Sequence, residues 1–121
     1  MRIFSHKPYK RPDRVGDEML HILGNLFISE IFIPEAGLLT VTKVKVADDL
    51  KIAKVYLSFL ENKQPVDEIL KIIELKHNLI RNYVGMHLTL KYTPQLRFYY
   101  DDSLVHAERI NELIQKIHKD D

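Results

Sequence analysis

Two neighbouring runs of alternating apolar and polar residues limit this chain more than any other feature. From Leu38 to Val46 the residues LLTVTKVKV are rich in β-branched side chains, with Val41, Lys43 and Lys45 on one side and Thr42, Val44 and Val46 on the other. Asp48-Asp49 supplies turn chemistry. From Lys51 to Phe59, Ala53, Val55, Leu57 and Phe59 share one side, and Ile52, Lys54, Tyr56 and Ser58 the other. A hairpin is the economical reading. One of its faces is apolar and must be covered, while the opposite face carries lysine and tyrosine.

Helical patterns that can supply the cover lie before and after the hairpin. Val15, Met19, Ile22, Leu23, Leu26 and Phe27 recur at helical spacing, with Asp13 as the expected N-cap and Pro34 and Gly37 marking the end. Beyond Asn62 and Pro65, Val66, Ile69, Leu70, Ile73, Ile80 and Val84 return to helical period, and His77 interrupts their side. A third strand is expected from Leu88 to about Tyr100, with Leu88, Leu90 and Tyr92 inward and Lys91 outward. Pro94 lacks an amide donor and so favours an edge or a bulge there. Asp102 or Ser103 then caps a last helix, about 103–118, whose stripe of Ala107, Ile110, Leu113, Ile114 and Ile117 is expected to be buried. At 121 residues the chain supports one core, so 1–121 reads as a single domain with a short basic segment, 1–12, at its start.

Charge is distributed unevenly although the net value is only +1. Residues 1–15 hold Arg2, Lys7, Lys10, Arg11 and Arg14 against Asp13 alone, +4, whereas residues 101–121 hold six acids against three bases, −3. A polyanion can thus be met by one part of the surface. The chain has no cysteine, which removes disulfides, thiolate metal sites and cysteine nucleophiles and suits a reducing cytoplasm. No apolar run reaches the ~18 residues of a membrane span, and no signal peptide is recognised.

Catalysis finds no constellation in this sequence. Asp48-Asp49 and Asp101-Asp102 fall at turn or cap positions, and adjacent side chains in extended backbone point apart, so neither pair reads as a metal site. The six histidines lack metal-ligand spacing, and there is neither a phosphate-cradling Gly-rich loop nor a nucleophile elbow around any serine. The expectation is a protein that is not an enzyme and uses no metal, cofactor or small-molecule substrate.

Three segments in order, RPDRVGDEM (Arg11 to Met19), DDLKIAKVYLSFL (Asp48 to Leu60) and LTLKYTPQLRFYYDDSLVHAERI (Leu88 to Ile110), reach across nearly the whole chain. Together they resemble ribosome-binding factor A, a bacterial assembly factor of the small ribosomal subunit. The resemblance implies an α+β fold of the type II KH-like kind, helix-strand-strand-helix-kink-helix-strand, with an additional C-terminal helix. It also implies a cytoplasmic monomer that binds the immature 30S subunit and its rRNA. That binding would assist late maturation, 16S 5′-end processing by other enzymes, and growth in the cold. Family members replace the KH domain's GXXG loop with a kink bearing Ala-X-Gly before a triplet such as Phe-Ile-Arg. Here Lys76, His77 and Asn78 precede Leu79-Ile80-Arg81, so both the alanine and the glycine are missing. Asn78 tolerates a left-handed backbone and could keep the kink; the alternative is one continuous helix with His77 partly buried.

The expected RNA-binding residues are Lys10, Arg11 and Arg14 at the first helix, Lys43, Lys45 and Lys54 on the outer face of the hairpin, and Lys76, Asn78, Arg81, Lys91 and Arg97 near the helical pair and third strand. Outward lysines on a sheet are also ordinary solvated surface that discourages edge pairing. Arg14 opposes the dipole at a helix start, so Arg11 and Arg14 read either as binding residues or as helix-entry contacts. Tyr56 or Tyr99 could stack on a base or simply pack. The competing function is a protein-interaction module acting through the C-terminal helix, where Glu108 and Glu112 would suit a basic partner.

Overall fold

In the computed structural model of the chain, residues 9–120 are described. Helix α1 runs Arg11–Ser29, three residues ahead of the start expected from Asp13. Lys10 is the N-cap and Pro12 sits in the first turn, where a missing amide costs nothing. Asp13 is the third helical residue, and its carboxylate reaches back to accept the Lys10 amide at 3.1 Å. Lys10 and Arg11, rather than Arg14, are therefore the cations nearest the helix start.

After a single 3₁₀ turn at Pro34–Ala36, strand β1 spans Leu38–Val46 and strand β2 Ile52–Leu60. Gly37 joins the 3₁₀ turn to β1 with φ +64°, and a β-carbon there would lie 2.5 Å from the carbonyl oxygens of Leu60 and Glu61. The hairpin is antiparallel, from Leu38 opposite Leu60 to Val46 opposite Ala53. Its register breaks once: Val41 faces Leu57 and Lys43 faces Tyr56, so Thr42 is the additional residue of a β-bulge. Side chains alternate with period two, and one extra residue inverts the parity. Val41, expected beside the lysines, consequently packs against the core with Leu39, Val44 and Val46.

Helices α2 (Val66–Leu75) and α3 (His77–His87) carry the chain back to strand β3, Gln95–Tyr100, which pairs parallel with β2 from Ile52 opposite Gln95 to Leu57 opposite Tyr100. The sheet order is β1-β2-β3, with β2 central. Helix α1 packs on β1, α2 and α3 on β3, and α1 on α3. Between these layers Met19, Leu23, Phe59, Ile69, Ile73 and Ile80 are fully buried, each contributing roughly 1.5–3 kcal/mol through burial.

Residues 88–94 do not join the sheet. The ladder of β2 begins at Ile52, so no strand lies opposite them. Their polar groups are met by side chains instead: Glu18 accepts from the Thr89 amide, and Arg81 donates to the carbonyls of Thr93 and Pro94. Leu88 and Pro94 are buried, while Tyr92, expected inward, is exposed.

Helix α4, Ser103–Asp120, contacts β2, yet the stripe expected to be buried is open: Ile110, Leu113 and Ile114 are 56%, 61% and 46% exposed, and Ala107 is exposed too. The side chains of Glu108 and Ile117 lie outside the described residues. Asp102 occupies the cap position, but the capping bond is made by its neighbour, Asp101, whose carboxylate accepts the Ser103 amide at 3.0 Å.

Candidate nucleic-acid interface

Helices α1, α2 and α3 cover one face of the sheet, and the opposite face presents two adjacent rows of side chains that cross all three strands. In the first, Lys45 on β1 faces Lys54 on β2, which faces Arg97 on β3. In the second, Lys43 faces Tyr56, which faces Tyr99. All four cations are exposed. Like charges set directly opposite each other destabilise a sheet, by up to roughly 1 kcal/mol per pair. Among the described residues no carboxylate lies within 4.0 Å of Lys43, Lys45, Lys54 or Arg97 to relieve them.

The second row is organised by contact between rings. Tyr56 and Tyr99 stack with centroids 5.5 Å apart and planes inclined by 28°, and Lys43 Nζ lies 5.8 Å from the Tyr56 centroid. Beyond this row stands Asp101. Its carboxylate accepts from the Thr42 hydroxyl at 2.7 Å, and this bond, together with those from Ser103 and the nearby Lys43 charge, holds its pKa below the usual carboxylate value. The bulge at Thr42 thus ties β1 to the end of β3. Along the outer side of β3 the order Arg97, Tyr99, Asp101 passes from cation to aromatic to anion.

A second basic area lies where α1 begins. Arg11, Lys51, Arg81, Lys91, Tyr92 and Gln95, with the single carboxylate of Asp49, line a cleft of about 340 Å³ between the β1–β2 turn and residues 88–94. Arg81 differs from its neighbours there. Its Nη2 donates to the Thr93 carbonyl at 2.7 Å and its Nε to that of Pro94 at 3.3 Å, so the guanidinium holds the loop in place while lining the cleft. Lys91 Nζ lies 5.5 Å from the ring centre of Tyr92. Lys10, Lys43 and Lys45 border a third depression, where three carboxylates, Asp13, Asp17 and Asp48, offset them.

The structure distributes the basic residues read from the sequence among these places. Arg97 belongs with the hairpin lysines on the outer sheet face, whereas Arg81 and Lys91 join Arg11 in the cleft. Arg14 is exposed on α1. Lys76 stands at the junction of α2 and α3 with φ −97° and ψ 11°, and the helix is interrupted there. Asn78 lies inside α3 and does not have the left-handed conformation considered for it; among the described residues the positive-φ residues other than glycine are Leu50 and Glu61. His77 turns inward, edge-on to Phe98 at 5.9 Å. Lys51 and Gln95 were not anticipated as site residues. The alternation of β2 and β3 offered the only signal for them, because the cleft is closed by residues 88–94 from elsewhere in the chain.

Among the described residues no group of three or more His, Asp or Glu side chains is placed to hold a metal ion, and no helix is long and apolar enough to cross a membrane.

Comparison with known proteins places this geometry in a family. The family model for ribosome-binding factor A matches residues 11–114. Ribosome-binding factor A of Staphylococcus carnosus is 36% identical over 111 residues, covering 92% of this chain and 96% of that protein. The crystal structure of ribosome-binding factor A from Thermus thermophilus superposes with a TM-score of 0.65 at 16% identity, over 75% of this chain and 97% of that one. A homology model of the Thermus thermophilus factor, fitted into the cryo-electron microscopy map of a complex of 30S with ribosome-binding factor A, gives a TM-score of 0.60 at 17% identity, over 72% and 91% of the two chains. At these identities the two structural likenesses establish the fold, an α+β arrangement of the KH-like kind.

Proposed function

The chain belongs to the ribosome-binding factor A family, and on that premise we propose that it binds the immature small ribosomal subunit through ribosomal RNA, using the outer face of its sheet. The observation that carries this reading is the row Lys45, Lys54 and Arg97. Three cations aligned across three strands, with no carboxylate partner among the described residues, are costly to the isolated protein and favourable against a phosphate backbone. The cleft containing Arg11, Lys51 and Lys91 adds a second phosphate-binding area, in which Arg81 acts mainly by positioning residues 93 and 94. Lys10, Arg14, Lys76 and Asn78 extend the contact at the entry to α1 and at the helix break.

The protein acts in this reading as a single-domain cytoplasmic monomer and without catalysis. Tighter binding to one conformer of the immature RNA shifts the population toward it, by no more than the difference in affinity. Processing of the 16S 5′ end by other enzymes, and growth in the cold, are supported through that shift. A second reading, contact with a protein partner through α4 and without RNA, has the exposed Ile110, Leu113 and Ile114 in its favour.

The test is co-sedimentation of the full chain with isolated small and large subunits across a salt series. Selective migration with the small subunit, lost as salt rises, is expected for the wild type. Replacing Lys45, Lys54 and Arg97 by Glu is expected to weaken it and to flatten the salt dependence by about 2–3 in log-log slope, from roughly 0.7–0.9 per phosphate contact. Wild-type migration with neither subunit at low salt would refute the RNA reading and favour the one based on α4.

A further inference from the structure

We infer that Tyr99, backed by Tyr56 and Lys43, is a stacking site for an unpaired RNA base, so that the outer sheet face recognises a single-stranded segment rather than a duplex; this rests on the RNA-binding reading above. The three side chains form a file across the sheet, one from each strand. Lys43 lies over Tyr56, and Tyr56 stacks on Tyr99. Tyr99 ends the file because β3 is an edge strand. Tyr99 is 38% exposed, and among the described residues no further strand stands beyond it to cover the far side of its ring. A base placed there becomes the fourth member of an existing stack.

Three features favour a nucleotide as the occupant. The Tyr99 ring is already oriented by its partner, so little freedom is lost on binding. The cation Arg97 precedes Tyr99 by two residues on the same side of β3, about 7 Å along the strand, while the carboxylate of Asp101 follows two residues later. A base on Tyr99 thus has a phosphate partner in one direction and repulsion in the other, which orients the strand toward the row of Lys54 and Arg97. Bases inside a duplex have both faces occupied by their neighbours, whereas an unpaired base can turn one to a side chain.

The experiment uses the full chain with two probes, a short single-stranded oligo(A) ribonucleotide and an RNA duplex of equal length, titrated at several salt concentrations. Tyr99→Ala is expected to weaken binding of the single strand on the order of tenfold while leaving the salt slope and the duplex affinity unchanged. Tyr99→Phe, which keeps the ring, is expected to bind as the wild type does. Arg97→Gln should instead lower the slope by about 0.7. Tyr99→Leu preserves bulk without a π-face and is expected to behave like the alanine variant, which separates stacking from a loss of folding. Equal affinity of wild type and both ring-less variants for the single strand overturns the stacking site alone. A phenylalanine variant as weak as the alanine variant also overturns it. Failure of the wild type to bind either RNA at low salt overturns the stacking site together with the reading it rests on.

Discussion

Helix α1 contains two glycines whose replacement by alanine should change stability in opposite directions. Both lie within the helix, at Gly16 and Gly24, so both substitutions remove backbone freedom from the unfolded chain and raise helix propensity, together worth about 0.5–1 kcal/mol of stability. They differ in what the new methyl group meets. At Gly24 nothing lies within 4 Å of an ideal β-carbon. At Gly16 that carbon would be 2.8 Å from the Val44 carbonyl oxygen and 3.7 Å from its carbon, because α1 lies close against the backbone of β1 there. A carbonyl cannot rotate away as a flexible side chain would, so the helix or the strand must move by several tenths of an ångström. Such overpacking costs about 1–3 kcal/mol. Gly24→Ala is therefore expected to gain about 0.5–1 kcal/mol, and Gly16→Ala to break even or lose up to about 2 kcal/mol, once the same helical gain is subtracted. In a domain of this size that separation corresponds to roughly 4–12 °C in thermal midpoint. Thermal and urea unfolding of both variants, followed by circular dichroism, measure it directly. Equal stabilisation by the two substitutions would refute the close seating of α1 on β1, and with it the position assigned to Arg11 beside the cleft.

Two further outcomes follow from specific contacts. Arg81→Ala leaves the carbonyls of Thr93 and Pro94 without their donor and is expected to destabilise the fold by about 1–3 kcal/mol, with faster amide exchange confined first to residues 88–95; exchange unchanged there would mean that the loop holds itself. Asp101 has a folded-state pKa below that of the unfolded chain, so its contribution to stability is complete above the ordinary carboxylate pKa and is lost as pH falls through the lowered value. Thr42→Val removes the principal cause. The Asp101 titration, followed by carbon NMR, should then move upward toward the ordinary carboxylate value and the stability lost in acid should shrink; an unmoved titration would contradict the hydrogen bond.

The bounds of β1 and the apolar face of β2 were legible in the sequence, because alternation is a local property and nine residues of it leave little choice. So were the helical character of α1, α2 and α3 and the core residues Leu23, Leu26, Ile69, Ile73, Ile80 and Val84, which repeat at helical period. The basic residues of the sheet could be listed from the sequence, but not their arrangement. Arg97 stands beside Lys54 only because β3 pairs in parallel with β2, and a register between strands far apart in the chain leaves no local trace. The inverted side of Val41 depended on one unpaired residue, Thr42, whose role is fixed by Tyr56 and Asp101 across the sheet. Residues 88–94 look extended in sequence, yet become a loop because no strand faces them and because Glu18 and Arg81 take up their backbone groups. The stripe on α4 has the pattern of a buried face and is left open, since periodicity identifies the side of a helix that can be covered and only the packing of other elements decides whether it is. Sequence alone thus determined the elements and most of the core, while the tertiary structure decided which charged and aromatic side chains share a surface, because that depends on contacts between residues distant in the chain.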